Sequence, residues 1–298
     1  MLMTSWGVLL PTFDPLRRGE RLPVAAAARL AEEIGYDSIW TGDHLKCPAP
    51  VLDSVTCLAL AAAVTTRVTL GTSVMLLGLR QPAWAAKQIA TLQQLSGDRL
   101  RLGVGVGGEF EQEYEAAEVP HTERGARLDR ALALLPAYLT PGNEHSLEPS
   151  APMPPILVGG RSDRAAKRAA QFGDAWLPMW ISPETLAQRG ETLSDLSAGF
   201  ARPTPSLSLL VLAHVDDDPA RARAEADAHL QGQYGMALDR VERWTAFGSA
   251  EQVAEFLERY IQVGVSEIIM LPLGSRQLEQ IERLADAMGR IRSLADAV

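Results

Sequence analysis

The chain has 298 residues, 47% of them hydrophobic and 22% charged, with a formal net charge of −9. That length exceeds the usual single core but lies within the reach of one α/β barrel. The acidic balance argues against a nucleic-acid binder or an anionic-membrane binder, and no run of about 18 apolar residues is present to span a bilayer. Cys47 and Cys57 make neither a C-x-x-C motif nor a disulfide framework. Read as reduced thiols, and with no basic segment ahead of the short N-terminal apolar run, they lead to the expectation of a cytoplasmic protein.

In chain order the first apolar run is Ser5–Phe13. The helical stretch Val24–Gly35 follows, with Ala27, Leu30, Ala31 and Ile34 on one stripe and Gly35 placed for a left-handed C-terminal turn. Runs at Tyr36–His44, Val68–Leu76 and Leu100–Gly107 come next, each about 32 residues after the last, the length of one βα unit. Helical patterns fill Ala83–Gly97 and Glu123–Leu139. The later apolar runs are Pro155–Gly160, Ala175–Trp180, Leu207–Val215 and Ser266–Leu273, with further helical patterns at Ala250–Val265 and Leu278–Val298. Most of these runs are continuously apolar, as in parallel strands covered on both faces. Eight strands alternating with helices admit a closed (β/α)8 TIM barrel or an open doubly wound sheet. The first run ends in "PTFDPLRRGE", without the G-x-G-x-x-G that an open dinucleotide-binding sheet wants, so one barrel domain over residues 1–298 is expected. Its longer connections are Gly108–Pro154 and Asp216–Val265.

A barrel builds its active site at the C-terminal strand ends. Those positions hold Phe13, then Asp43 and His44, then Thr72, Ser73, Val74 and Met75. The later strands end in Gly107 and Gly108, in Gly159, Gly160, Arg161 and Ser162, in Met179 and Trp180, and in His214. A histidine beside an acid at a strand end can serve as general acid or base, or the pair can simply cap the next segment. The alternating glycines from Gly103 to Gly108 thin the barrel wall, for packing or for a flat ligand. Gly159 and Gly160 precede a helix start that Ser162 or Asp163 can cap. The alternatives there are a bare βα turn and a phosphate seat, and the glycine pair favours the phosphate. No H-x-H, H-E-x-x-H or carboxylate cluster appears, so no metal is expected.

The stretches "SIWTGDHL", "LGTSVMLLGLRQPAWAAKQIATL", "RLRLGVGVGGEFEQEYEAAEVPHTERGARLDRALALL", "PPILVGGRSDRAAKRAAQFGDAWLP" and "FGSAEQVAEFLERYIQVGVSEIIM" together resemble the luciferase-like monooxygenase family over nearly the whole chain. The resemblance implies a bacterial-luciferase-like (β/α)8 barrel with insertions, binding the deazaflavin coenzyme F420 or FMN in its mouth. The "DH" and "GTSV" segments look more like the F420-dependent branch, in which a non-prolyl cis peptide, here Ser73–Val74, backs the ring. Carried over, His44 is the proton donor or acceptor with Asp43 beside it. Thr72, Ser73, Val74, Gly107 and Gly108 line the cofactor, and Gly159, Gly160, Arg161 and Ser162 hold its phosphate. Phe13 and Trp180 wall the substrate pocket. Arg80, Arg161 and Arg164 are candidates to meet the acidic tail of F420. Glu109-Phe110 departs from the polar pair common at that place in the family.

The implied function is hydride transfer between the F420 ring and a small organic substrate. The alternatives are an FMN-dependent monooxygenase supplied by a separate reductase, and a non-catalytic binder of either ring. A homodimer is expected from the family.

Overall fold

The computed structural model describes residues 4–142 and 144–296, with side chains as far as residue 293. The strands are β1 (Ser5–Leu9), β2 (Ser38–Thr41), β3 (Thr69–Thr72), β4 (Leu100–Val104), β5 (Ile156–Gly159), β6 (Ala175–Leu177), β7 (Ser206–Val215), β8 (Thr245–Gly248) and β9 (Val265–Pro272). Between them run α1 (Val24–Ile34), α2 (Ser54–Val64), α3 (Pro82–Ser96), α4 (Glu111–Ala116), α5 (Arg124–Leu139) and α6 (Asp163–Phe172). The remaining helices are α7 (Pro183–Ala198), α8 (Pro219–Tyr234), α9 (Ala250–Gln262) and α10 (Gln277–Asp296). The expected final helix reached Val298, which lies outside the described residues.

All eight expected strands form, and they close in the order β1-β2-β3-β4-β5-β6-β7-β9, every pairing parallel. The expected barrel is therefore present. A ninth strand was not expected: β8 lies inside the long connection after β7 and pairs with Leu212–Val215. Its "TAFG" is too short and too weakly patterned to be read as a strand. Because β9 occupies one edge of β7, the other edge is divided. Its lower residues pair with β6 and its upper ones with β8.

Local chemistry sets the helix ends. Gly35 closes α1 at φ 99°, as the sequence implies, and Ser249 with Gln252 makes a reciprocal capping box at the start of α9. The alanines of α6 (Ala165, Ala166, Ala169 and Ala170) are buried and let that helix lie close to the barrel.

Two bulky side chains fill the barrel, each framed by glycine. Near the N-terminal side is Trp40. A Cβ on Gly71 would lie 2.1 Å from its ring and one on Gly7 2.5 Å from its Nε1. Arg101 sits 5.9 Å over that indole and pairs with the buried Glu267 at 2.6 Å. Toward the C-terminal side is Val74, after a Ser73–Val74 peptide bond that is cis, as the family resemblance implies. A Cβ on Gly105 would lie 2.4 Å from Val74 Cγ2, and one on Gly159 2.8 Å from Cγ1. These glycines are needed first because Val74 occupies the space their side chains would take.

Gly105→Ala should accordingly overpack this seat, since valine has no free rotamer to yield, and cost about 1–3 kcal/mol of stability. Thermal melts would show the loss, and adding Val74→Ala in the same chain should recover most of it. A Gly105→Ala protein as stable as the parent would mean that Val74 does not dictate the glycine.

Candidate active site

The C-terminal strand ends enclose a cleft of about 280 Å³, lined by His44, Val74, Glu109, Arg161, Trp180 and Tyr234 among others. A larger groove beside α9 and α10, about 1190 Å³, has no histidine, cysteine or aromatic side chain in its lining, so the reactive groups belong to the smaller cleft. Among the described residues no group of His, Cys, Asp and Glu is arranged to hold a metal ion.

His44 follows β2 and turns its Nδ1 toward Glu113 of α4, 3.1 Å from Oε2. Glu113 is fully buried and also accepts the Leu45 backbone N–H at 3.2 Å, so its position is fixed from two sides. Burial alone would push the imidazole down. The hydrogen bond and charge of Glu113, joined by Glu109 and Asp43, outweigh it and hold His44 above its ordinary value. With Nδ1–H donating to the carboxylate, Nε2 is the nitrogen left to meet a ligand. Phe110 and Phe13 stand edge-on to the ring at 5.3 and 6.0 Å and keep it dry.

Asp43 has a different task. Its Oδ1 accepts from Ser54 Oγ at 2.8 Å and Arg80 Nη2 at 2.9 Å, while Oδ2 accepts from Leu76 N at 2.8 Å and Arg80 Nη1 at 2.6 Å. All four bonds come from the protein itself, so the carboxylate positions the loops after β2 and β3 and holds Arg80.

Glu109, at the cleft mouth, is crowded by protein. That crowding raises its carboxyl above the usual range, Glu113 adds to the effect, and His44 and Arg161 oppose it. Gly107 also lines the cleft, and next to it Gly108 (φ 104°) carries no side chain where Arg124 and His121 close in. A Cβ there would lie 3.1 Å from Arg124 Nε and 3.3 Å from His121 Nε2. Arg124 Nη1 donates to the His121 carbonyl at 2.9 Å, and His121 Nε2 is buried without a partner. These two donors at the start of α5, over a glycine backbone, suit an oxyanion. A flat ring resting on Val74, with its phosphate reaching Gly108, fits this arrangement. The orphaned hydroxyl of Ser73, buried beside Val74, offers such a ring a polar partner.

Beyond this geometry, a family model described as luciferase-like monooxygenase matches residues 7–267. The chain belongs to the luciferase-like monooxygenase family. The first curated relatives it matches are spanned over 66% of their length, just under two thirds. The F420-dependent glucose-6-phosphate dehydrogenase of Beutenbergia cavernae is 27% identical over 308 residues, covering 86% of this chain and 89% of that protein. Among solved structures, an F420-dependent secondary alcohol dehydrogenase in complex with an F420-acetone adduct superposes with a TM-score of 0.82 at 17% identity, over 97% of this chain and 99% of that one. A monooxygenase from Streptomyces bottropensis gives 0.81 at 22% identity, over 96% and 99%. At those identities the structural likeness speaks for the fold alone.

Against what the luciferase-like resemblance implied, His44, Asp43, Ser73, Val74, Gly107, Gly159, Gly160, Arg161 and Trp180 do line one cleft. Gly108 lies beside that lining and not in it, and other expected residues have tasks of their own. Thr72 is buried with its hydroxyl donating to the Gly103 carbonyl at 2.7 Å, which makes it a pin between β3 and β4. Ser162 uses its side chain to cap α6, accepting from Ala165 N at 3.2 Å, and Asp163 brings a carboxylate to that first turn. The Ser162 hydroxyl is thus engaged within the protein. Arg161 turns its guanidinium to the Trp180 carbonyl, 3.0 Å away, and not into the helix start. His214 is buried, its Nδ1 donating to the Leu273 carbonyl at 2.9 Å, and walls no cleft. Phe13 reaches the site only through its contact with His44.

Glu113, Tyr234, His121 and Arg124 were not anticipated. Glu113 had one readable signal, an acid three residues into a helix that directly follows a glycine-rich strand end.

Glu113→Gln should move the His44 titration midpoint down, seen by NMR of its Cε1 proton. Because the folded midpoint lies above the unfolded one, the stabilising contribution of the pair is complete below about pH 6.5 and disappears as pH rises through the folded midpoint. The melting-temperature gap between parent and variant should narrow over that interval. An unmoved midpoint would remove Glu113 from the control of His44.

Proposed function

We propose that this protein is an F420-dependent oxidoreductase moving a hydride between the deazaflavin C5 and a small organic substrate. The observation that carries the reading is the His44–Glu113 pair, buried and polarised beside a flat slot that Val74 closes from below. The names of relatives such as the Beutenbergia dehydrogenase support F420 as the cofactor. When bound, F420 supplies a two-electron hydride carrier that side chains do not provide.

Each residue then has a defined part. His44 holds or accepts a proton at Nε2 when a substrate carbonyl or hydroxyl changes oxidation state. Glu113 fixes the ring orientation and favours its protonated form. Glu109, its carboxyl raised above the usual range, adds a second ionisable group at the same mouth. Gly107, Gly108, His121 and Arg124 receive the phosphate. Phe13, Phe110, Trp180 and Tyr234 exclude water. The family description, luciferase-like monooxygenase, keeps an FMN-dependent oxygenase fed by a separate reductase as the second reading.

Titration of the purified protein with F420 and with FMN, followed by ring fluorescence, separates the two. Tighter binding of F420 supports the proposal and preferential FMN binding overturns it. His44→Ala should leave F420 affinity within about twofold while lowering hydride transfer to a screened substrate by about 10²–10⁴-fold, the usual worth of a general acid or base.

We also propose that two copies of the chain associate through α2 and α3. Trp84 and Leu95 are 72% and 60% exposed, and their spacing places them on one face of α3, with Leu60 of the adjoining α2 46% exposed. Analytical ultracentrifugation should find a dimer that Trp84→Glu with Leu95→Glu converts to monomer. A monomeric parent protein would dismiss this interface.

A further inference from the structure

One set of donors at the cleft makes no ion pair among the described residues. Arg161 leaves β5 and stands 5.8 Å over the Trp180 ring and 5.8 Å over that of Trp244. One guanidinium nitrogen donates to the Trp180 carbonyl, and no carboxylate pairs with Arg161 among the described residues. Arg80, by contrast, forks onto both oxygens of Asp43. The indole Nε1 atoms of Trp180 and Trp244 are both buried and without a hydrogen-bond partner. Arg243 stacks on Trp244 at 3.9 Å from the ring centroid and adds a second cation to the same corner.

The backbone supports a purpose for this corner. Trp180 has φ 52°, a left-handed conformation that bulky residues rarely hold. Such conformations persist where a side chain must be aimed. Tyr234 meets the Trp180 indole edge-on at 5.4 Å, and Leu177, Met179 and Leu210 complete an apolar wall. Glu109 lines the same cleft and feels the charge of Arg161, but makes no ion pair with it.

We propose that Arg161, with the indole N–H groups of Trp180 and Trp244, receives an oxyanion carried by the substrate, a carboxylate or a phosphate on a compact apolar body. A planar guanidinium with free donors matches either head group, and stacking between aromatic faces holds it in place at little entropic cost. The proposal rests on the reading of this cleft as a substrate pocket, not on which ring occupies it. It also assigns Arg161 away from the cofactor phosphate, which the geometry gives to Gly108, His121 and Arg124.

The test is calorimetric titration of the full chain, with and without F420, using matched probes: benzoate against benzyl alcohol, and phenyl phosphate against phenol. The same titrations are run on Arg161→Gln, with F420 affinity measured for both proteins. The parent should bind one charged probe at least about tenfold more tightly than its neutral partner, and Arg161→Gln should erase that preference while changing F420 affinity by no more than about twofold. Whichever charged probe binds identifies the head group. Equal binding of charged and neutral probes overturns the proposal, as does a loss of about tenfold or more in F420 affinity in Arg161→Gln, which would return the guanidinium to the cofactor. If F420 binds neither protein while the charge preference persists and depends on Arg161, the cofactor reading fails and this one stands.

Discussion

The arrangement of this site depends on one carboxylate. Asp43 joins the end of β2 to the first residue of α2 through Ser54, and to the loop after β3 through Leu76 and Arg80. Buried and hydrogen-bonded to a guanidinium, such a group is costly to break, because removing either partner strands the other in a medium that solvates it poorly. What it fixes lies on both sides of it in the chain. His44 is the next residue, and Val74 is two residues before the Leu76 amide. Imidazole and ring seat are thus registered to one another by the same atom pair. An acid in the cleft that looks catalytic by type is structural by connection.

The second constraint is space. A (β/α)8 barrel is ordinarily filled by layers of side chains. Here Trp40 and Val74 do much of that filling, and Gly7, Gly71, Gly105 and Gly159 give way to them. Glycine costs conformational entropy in a strand, so its repeated use around two residues marks where the interior is arranged for shape as well as for burial. The glycines at strand ends serve two purposes in sequence. They admit Val74, and Val74 then presents a smooth surface to whatever lies above it.

Much of this was legible beforehand, and the reasons are particular. The barrel strands could be read because each is a short apolar run bounded by turns, repeated at a βα spacing. Ser73–Val74, His44 and Gly107 could be placed because strand ends in a barrel have a known address. What escaped came from elements whose rotation the sequence does not fix. Glu113 and Tyr234 sit on α4 and α8, and which side of a helix faces the mouth depends on how it packs. His121 lies in the turn before α5 and Arg124 at that helix's first residue, and the sequence does not say that this end faces Gly108. The bonds that engage Asp43 could not be read either, because Ser54 and Arg80 are distant in sequence and nothing in a dipeptide reveals them.

The divided edge of β7 has a wider consequence. Over its lower half that strand completes the closed ring, whereas over its upper half it carries β8, a short strand contributed by the long connection from Asp216 to Val265. Along that one edge, the pairing with β6 that keeps the cylinder shut and the pairing with β8 that shapes its rim are therefore carried by different residues. Trp244, which precedes β8, and Tyr234, which ends α8, both belong to that connection. Mutation can lengthen, shorten or recompose this segment without opening the cylinder beneath it. In such an architecture the choice of what enters the mouth drifts freely, while the machinery that acts on it stays fixed.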